Sequence, residues 1–248
     1  MAAKETRTRL LFIRHGERDH DVTVPSNALI PLTFKGHEQA TVTGKFLASE
    51  VRPTVVYSSP FLRCLETSQR ICEQLDINFT VLPSVCELLS PEFFDEDPKS
   101  FHLFYNMDPD KFAERFPRAI LGDVESYSHP PFPETVAAFA ARIKAAANDL
   151  VQRHPGETIV CVAHGGFLEY CAAALSLELN FVAFLGIADF VHIRVDSIFE
   201  GGDTTTSSRV IAGPLGIGHA HLPPELVGGY ACHRAHDSTY PGAQLALN

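Results

Sequence analysis

A chain of 248 residues, 45% hydrophobic and with a mean hydropathy of +0.02, has the composition of a soluble globular protein with a sizeable core, not of a disordered one. Its formal net charge of −10 weighs against non-specific nucleic-acid or anionic-membrane binding, but leaves room for a local arginine cluster that holds a small anion. The N-terminus is polar, and the apolar stretch from Leu175 to Val195 is broken by Glu178, Asn180 and Asp189; with six scattered cysteines that read as reduced thiols, the expectation is a cytoplasmic protein.

Strand-like and helix-like patterns alternate along the chain, the signature of an α/β sheet with helices packed on its faces. Leu10 to Ile13 predict a short buried strand that stops at Arg14-His15-Gly16. Lys35 to Glu50 follows as a helix capped by Thr33, and Thr54 to Tyr57 as a second strand. Ser59 is the expected N-cap and Pro60 the first residue of the next helix, which ends near Leu75; Phe79 to Leu82 is a third strand. Between Glu87 and Pro133 the pattern breaks into Pro-, Phe-, Asp- and His-rich sequence, a partly helical, lid-like insertion over residues 88–133. Glu134 to Arg153 is an alanine-rich amphipathic helix and Thr158 to Ala163 a buried strand. His164-Gly165-Gly166 then opens a helix that reaches Leu177. Phe190 to Val195 and Arg209 to Ala212 close the sheet, and residues 213–248 read as an irregular tail; the whole chain, 1–248, is taken as one domain.

Three strands therefore end in chemically capable residues: the first at Arg14-His15, the second at Ser58-Ser59-Pro60 with Arg63 one turn on, the fourth at His164. In a parallel sheet these ends share one edge, where ligands bind, and the helices that begin there point their positive ends at it. Together they describe a pocket for a dianionic group with a histidine inside it.

The run Arg14-His15-Gly16-Glu17 resembles the signature of the histidine phosphatase superfamily, the phosphoglycerate-mutase-like proteins. Leu32-Thr33 with Gly36 and Gln39-Ala40, Tyr57-Ser58-Ser59-Pro60-Phe61-Leu62-Arg63 with Glu66-Thr67, and Val162-Ala163-His164-Gly165-Gly166 resemble the family's later segments, in order. The resemblance implies a three-layer α/β/α sandwich with a mostly parallel central sheet and a lid-like insertion. It also implies that His15 attacks phosphorus and carries a phosphohistidine, while Arg14, Arg63 and His164 bind the phosphate oxygens. Glu87 stands where family members keep the acid that protonates the leaving oxygen, although a solvated loop glutamate is the bland alternative. The continuation Glu17-Arg18-Asp19-His20 is similar to the branch of suppressor-of-T-cell-receptor-signalling and ecdysteroid-phosphate phosphatases, where the residue matching Arg18 is a further phosphate ligand. Otherwise Arg18 would pair with Asp19 or Asp21 at the surface.

The function this implies is a phosphomonoesterase acting on phosphotyrosine or other bulky aryl esters. The alternatives are a small-metabolite or sugar-phosphate phosphatase, or a non-catalytic phosphate-binding module. Neither metal nor cofactor is called for, because the arginines supply the positive charge. His219, His221, His233 and His236 near Cys232 lack the spacing of a closed zinc site. The expected partner is a phosphate ester, small or on a protein, with homodimerisation left open. Phe93, Phe94, Phe101, Phe104, Tyr105, Phe112 and Phe116 are expected to give the insertion a small core of its own, and Cys161 to serve packing.

Overall fold

Alternation along the central strands decides the layering. On β1 (Ala2–Arg14), Leu10 and Phe12 enter one core while Leu11 and Ile13 enter another, all of them buried. β5 (Thr158–Ala163) repeats this with Ile159, Cys161 and Ala163 on the first side and Val160 and Val162 on the second. Strands apolar on both faces belong to a sheet covered on both sides. Helices α5 (Val136–Arg153) and α6 (Gly165–Ala174) cover the first face with Phe139, Ile143, Leu150 and Phe167. The second face is covered by Leu62, Leu65, Ile71 and Cys72 of α2 (Leu62–Leu75), with Val42 and Phe46 of α1 (Phe34–Phe46) packed against them.

The computed structural model describes residues 2–121, 129–174, 187–198, 204–218 and 221–226. Within them one sheet has the order β4-β3-β2-β5-β1-β6-β7. β2 (Val55–Ser58), β3 (Phe79–Val81), β4 (Ala119–Ile120), β5 and β1 are paired in parallel, whereas β6 (Ile187–Ile198) and β7 (Thr204–Gly218) are added antiparallel. This is the mostly parallel α/β sheet flanked by helices that the sequence predicts. Among the described residues no helix is long and apolar enough to cross a membrane.

Several boundaries differ from expectation, each for a local reason. β1 begins at Ala2 and not at Leu10, because β6 pairs with it from Ala2 to Ile13 while β5 joins only at Arg9. An antiparallel partner can hold a polar stretch that carries no apolar signal. The closing strands are longer than the apolar cores that marked them, and Gly213 to Gly218, expected as tail, belong to β7. The rest of that tail, apart from residues 221–226, lies outside the described residues, as does the stretch from Leu175 to Leu177 expected to complete α6. Thr33 caps α1 as expected, accepting from the Gly36 amide at 2.9 Å, and a π turn (Leu47–Val51) continues that helix.

The insertion contributes α3 (Leu103–Asn106), α4 (Pro109–Arg115) and the edge strand β4. Pairing of β4 with β3 brings α4 over the sheet, so Phe112 and Phe116 join the α2-side core and not a separate one. Phe93, Phe94 and Phe101 do form a small cluster, shared with Phe61, Cys86 and Leu89; the side chains of Phe104 and Tyr105 lie outside the description.

The loop that leaves β1 sits directly on the start of α1. A methyl at Gly36 would lie 2.2 Å from the Glu17 carbonyl oxygen, and one at Gly16 would lie 2.7 Å from the Gly36 oxygen. Both neighbours are backbone and cannot swing aside. Gly36→Ala should therefore cost about 1–3 kcal/mol of stability, read as a lower urea midpoint at unchanged slope. An unchanged midpoint would show that this contact is not held in solution.

Candidate active site

The three strand ends expected to converge are tied together by backbone hydrogen bonds. The His15 amide donates to the Ala163 carbonyl at 3.0 Å, and the Ser59 amide to Val162 at 2.9 Å. His15, Arg63 and His164 are thereby buried side by side. The His15 and His164 rings meet edge-on with centroids 5.4 Å apart.

Hydrogen bonds assign the tautomers of both rings. Arg63 Nε donates to His15 Nε2 at 3.1 Å, so the proton of neutral His15 sits on Nδ1, which donates to the Gly16 carbonyl at 2.8 Å. Arg63 Nη2 lies 3.3 Å from His164 Nδ1, leaving His164 Nε2–H to donate to Ser59 Oγ at 2.7 Å. One guanidinium thus touches both histidines. His15 presents a lone pair on Nε2 with the ring fixed from the other side, the arrangement of an imidazole nucleophile.

Arg63 Nη1 turns toward the loop after β1, donating to the Asn27 carbonyl at 2.8 Å and to Asn27 Oδ1 at 3.3 Å. Arg18 Nη1 donates to the same Oδ1 at 3.1 Å. Arg18 is thus brought to Arg63 through Asn27, as the pocket reading requires. The Arg14 guanidinium lies against Gly165 at the start of α6, where a Cβ would come within 3.3 Å of its carbon.

Charge in this cleft is one-sided. Burial first, then Arg63, His164 and Arg14, hold the His15 imidazolium well below the ordinary histidine range. Burial followed by Arg63, Arg14, Arg142 and Arg18 does the same to His164. Arg63 itself is lowered to about 10 by burial and by the Arg18 charge. Two rings that resist protonation beside a cluster of arginines favour an incoming anion.

Glu87 follows a short turn (Pro83–Val85) after β3 and is half-buried. Its Oε1 accepts from the Leu88 amide at 3.1 Å, and a Cβ on Gly166 would lie 2.7 Å from the same oxygen. The second glycine after His164 therefore makes room for this carboxylate, and Glu87 stands at the start of the helix that His164 opens. It is a half-buried loop residue packed against that glycine.

The structure also recruits residues to which sequence reasoning gave no site role. Ser59, expected as an N-cap, accepts from the Phe61 amide at 3.5 Å and more closely from His164 at 2.7 Å; α2 itself starts at Leu62 with Phe61 as its N-cap. Thr67 Oγ1 accepts from the Gly16 amide at 3.0 Å and donates to the Arg63 carbonyl at 2.7 Å, locking α2 to the His15 loop. Gln39 Oε1 accepts from the Glu17 amide at 2.8 Å. Asn27 carried no signal beyond its place in a proline-flanked loop. Arg142 did: it lies beside the buried stripe Phe139, Ile143, Ala146 and Leu150 of α5, where a charge needs a reason. Cys64, Cys72 and Cys86 are buried free thiols pushed up to about 12 chiefly by burial, and Cys161 packs in the core as expected.

A family model described as the histidine phosphatase superfamily (branch 1) matches residues 10–195. The chain belongs to that superfamily. It is 26% identical over 166 residues to a metal-independent phosphoserine phosphatase of Arabidopsis thaliana, covering 65% of this chain and 66% of that one. It is 29% identical over 158 residues to human ubiquitin-associated and SH3 domain-containing protein A, covering 58% of this chain but only 22% of that protein. Among solved structures, a mycobacterial hydrolase superposes with a TM-score of 0.58 at 20% identity, covering 90% of this chain and 95% of the other. Family and fold together support a phosphoric monoester hydrolase.

Of the histidines suggested as weak metal candidates, His221 is engaged with Thr43 Oγ1 at 3.0 Å and stacks on Phe46; His219, His233, His236 and Cys232 lie outside the described residues. The depressed rings of this histidine phosphatase have a measurable consequence. His15, His102 and His164 are all held well below the ordinary value of 6.5, first by burial. As the pH falls below that value the unfolded chain takes up protons that the folded chain refuses. Their effect on stability is thus nil above about pH 6.5 and increasingly unfavourable below it, down to the depressed folded values. Nitrogen-detected imidazole NMR should show His15 and His164 neutral from pH 8 to 6. A titration of either ring near 6.5 would contradict the buried network.

Proposed function

We propose that the chain is a phosphomonoesterase that needs no metal and works through a phosphohistidine on His15. The observation that carries this is the pairing of His15 Nε2 with Arg63 while Nδ1 is tied to the Gly16 carbonyl. When a phosphate dianion enters, Arg63 and Arg18 exchange Asn27 and the two rings for phosphate oxygens, with Arg14 and His164 binding the others, which frees the Nε2 lone pair. Nε2 attacks phosphorus, the bond to the leaving oxygen breaks, and protonated Glu87 gives that oxygen its proton. Water then attacks the phosphohistidine, the Glu87 carboxylate takes the water's proton, and inorganic phosphate leaves with the imidazole restored. Charge that spreads over the phosphoryl oxygens in each step meets fixed cations, so positioning and electrostatics supply most of the catalysis.

For the substrate we favour phosphotyrosine or another bulky aryl ester. Arg18 joined to Arg63 through Asn27 supports this, together with the aromatic cluster of Phe61, Phe93, Phe94 and Phe101 behind His164. A second reading, a phosphorylated small metabolite, is favoured by the similarity to the plant phosphoserine phosphatase.

His15→Ala should lower turnover of p-nitrophenyl phosphate by roughly 10³-fold or more while leaving the thermal midpoint in place. Retained turnover in the variant would end the role of His15 as nucleophile, and absence of turnover in the unmodified chain would leave a phosphate-binding module. In a panel of aryl, sugar and amino-acid phosphates, kcat/KM highest for phosphotyrosine would support the aryl reading, and highest for phosphoserine the metabolite one.

A further inference from the structure

Arg142 plays no part in the scheme above, yet its side chain reaches from α5 to the Glu87 segment. Its Nη1 donates to the Ser84 carbonyl at 2.8 Å and to the Cys86 carbonyl at 3.0 Å, and its Nη2 to the Glu87 carbonyl at 3.2 Å. The guanidinium is held in a two-pronged pair by Glu134, from Nε to Oε1 at 2.8 Å and from Nη2 to Oε2 at 2.7 Å. Glu134 grips the same segment from the other end: its amide donates to the Leu89 carbonyl at 2.8 Å, and Oε2 accepts from the Leu89 amide at 3.3 Å. The side chains are 10% and 1% exposed, so this is a buried brace and not a surface ion pair. The ring of Phe139 lies under the guanidinium with its centroid at 4.8 Å.

Beyond their own ion pair, Arg142 and Glu134 bond the backbone of Ser84, Cys86, Glu87 and Leu89, and not the Glu87 carboxylate. The carbonyls of Ser84, Cys86 and Glu87, drawn to one planar cation, fix the path of residues 84–87 and with it the place of the Glu87 side chain beside Gly166. A retained buried ion pair is a poor source of net stability compared with apolar packing, so its presence asks for a positional reason. We propose that Arg142, locked by Glu134, is a positioning residue for proton donation: it aims the Glu87 carboxyl at the leaving oxygen without touching substrate. This rests on the reading of Glu87 as the acid.

Position matters only when the leaving oxygen needs a proton, so the test compares an activated aryl ester, p-nitrophenyl phosphate, with an alkyl ester, O-phosphoserine, in the full chain. Glu87→Gln should cut kcat/KM, which reports phosphorylation of His15 and not the shared hydrolysis that follows, by about 10²-fold or more on the alkyl ester and far less on the aryl ester. Arg142→Met combined with Glu134→Leu removes both charges at once and leaves none buried alone. Arg142→Lys keeps the charge but not the planar reach, and serves if the double variant unfolds. Either should lose about 10-fold or more of kcat/KM on the alkyl ester and keep nearly the full value on the aryl ester, and should add little to the loss of Glu87→Gln when the two are combined. Equal losses on both esters in the Arg142 variants, or full additivity with Glu87→Gln, would overturn the positioning role while leaving Glu87 as the acid. Equal losses on both esters from Glu87→Gln alone would remove the acid itself, and the positioning role with it.

Discussion

The site depends on one buried guanidinium. Each hydrogen bond Arg63 makes among the described residues ends on a neutral acceptor: His15 Nε2, His164 Nδ1, and the carbonyl and side-chain oxygens of Asn27. A cation taken out of water normally demands an anion close by, and burial already lowers Arg63 to about 10. The fold supplies neutral stand-ins at the places a dianion's oxygens would take. The same contacts keep both imidazoles neutral, so the group that makes the pocket attractive to phosphate also keeps the proposed nucleophile armed.

Holding Arg63 there requires the loops on either side to be rigid. Thr67 bonds the Gly16 amide and the Arg63 carbonyl, so one hydroxyl sets the distance between the His15 loop and α2. Gln39 holds the Glu17 amide with its oxygen and the Leu226 carbonyl with its nitrogen at 2.8 Å, which ties the segment 221–226 to the same loop. Glu66 accepts from the Leu32 amide at 2.8 Å and pairs with Arg115 of α4, bringing the insertion into the scaffold. Several residues of the sequence motifs therefore serve to fix backbone; the groups aimed into the cleft are fewer.

This division explains what could be read in advance. Buried parallel strands announce themselves as apolar runs, and a strand that ends on Arg-His or Ala-His places those side chains at the ligand-binding edge by topology alone; His15, Arg63 and His164 were legible for that reason. Pairings between distant segments were not legible. The polar half of β1 is a strand only because β6 lies beside it, and Phe112 enters the main core only because β4 extends the sheet. Ser59 looked like a cap because Ser-Pro starts helices, and its hydroxyl does take the Phe61 amide, but its shorter bond is to the ring of His164, far along the chain. The brace of Glu134 and Arg142 needed the fold to join α5 to the Glu87 segment, although a charge beside an apolar stripe was its visible trace.

What most directly tests the account is the chemical identity of the trapped intermediate. Substrate labelled at phosphorus, mixed with the enzyme and quenched within milliseconds, should leave label on the chain that survives alkali, is lost in acid and maps to the peptide carrying His15. Label that survives acid and maps to Ser59, or label on Cys64, would put the nucleophile elsewhere in the same pocket. Turnover with no label on the chain at any quench time would point to direct attack by water. Either outcome would contradict the role given to the histidine that Arg63 holds.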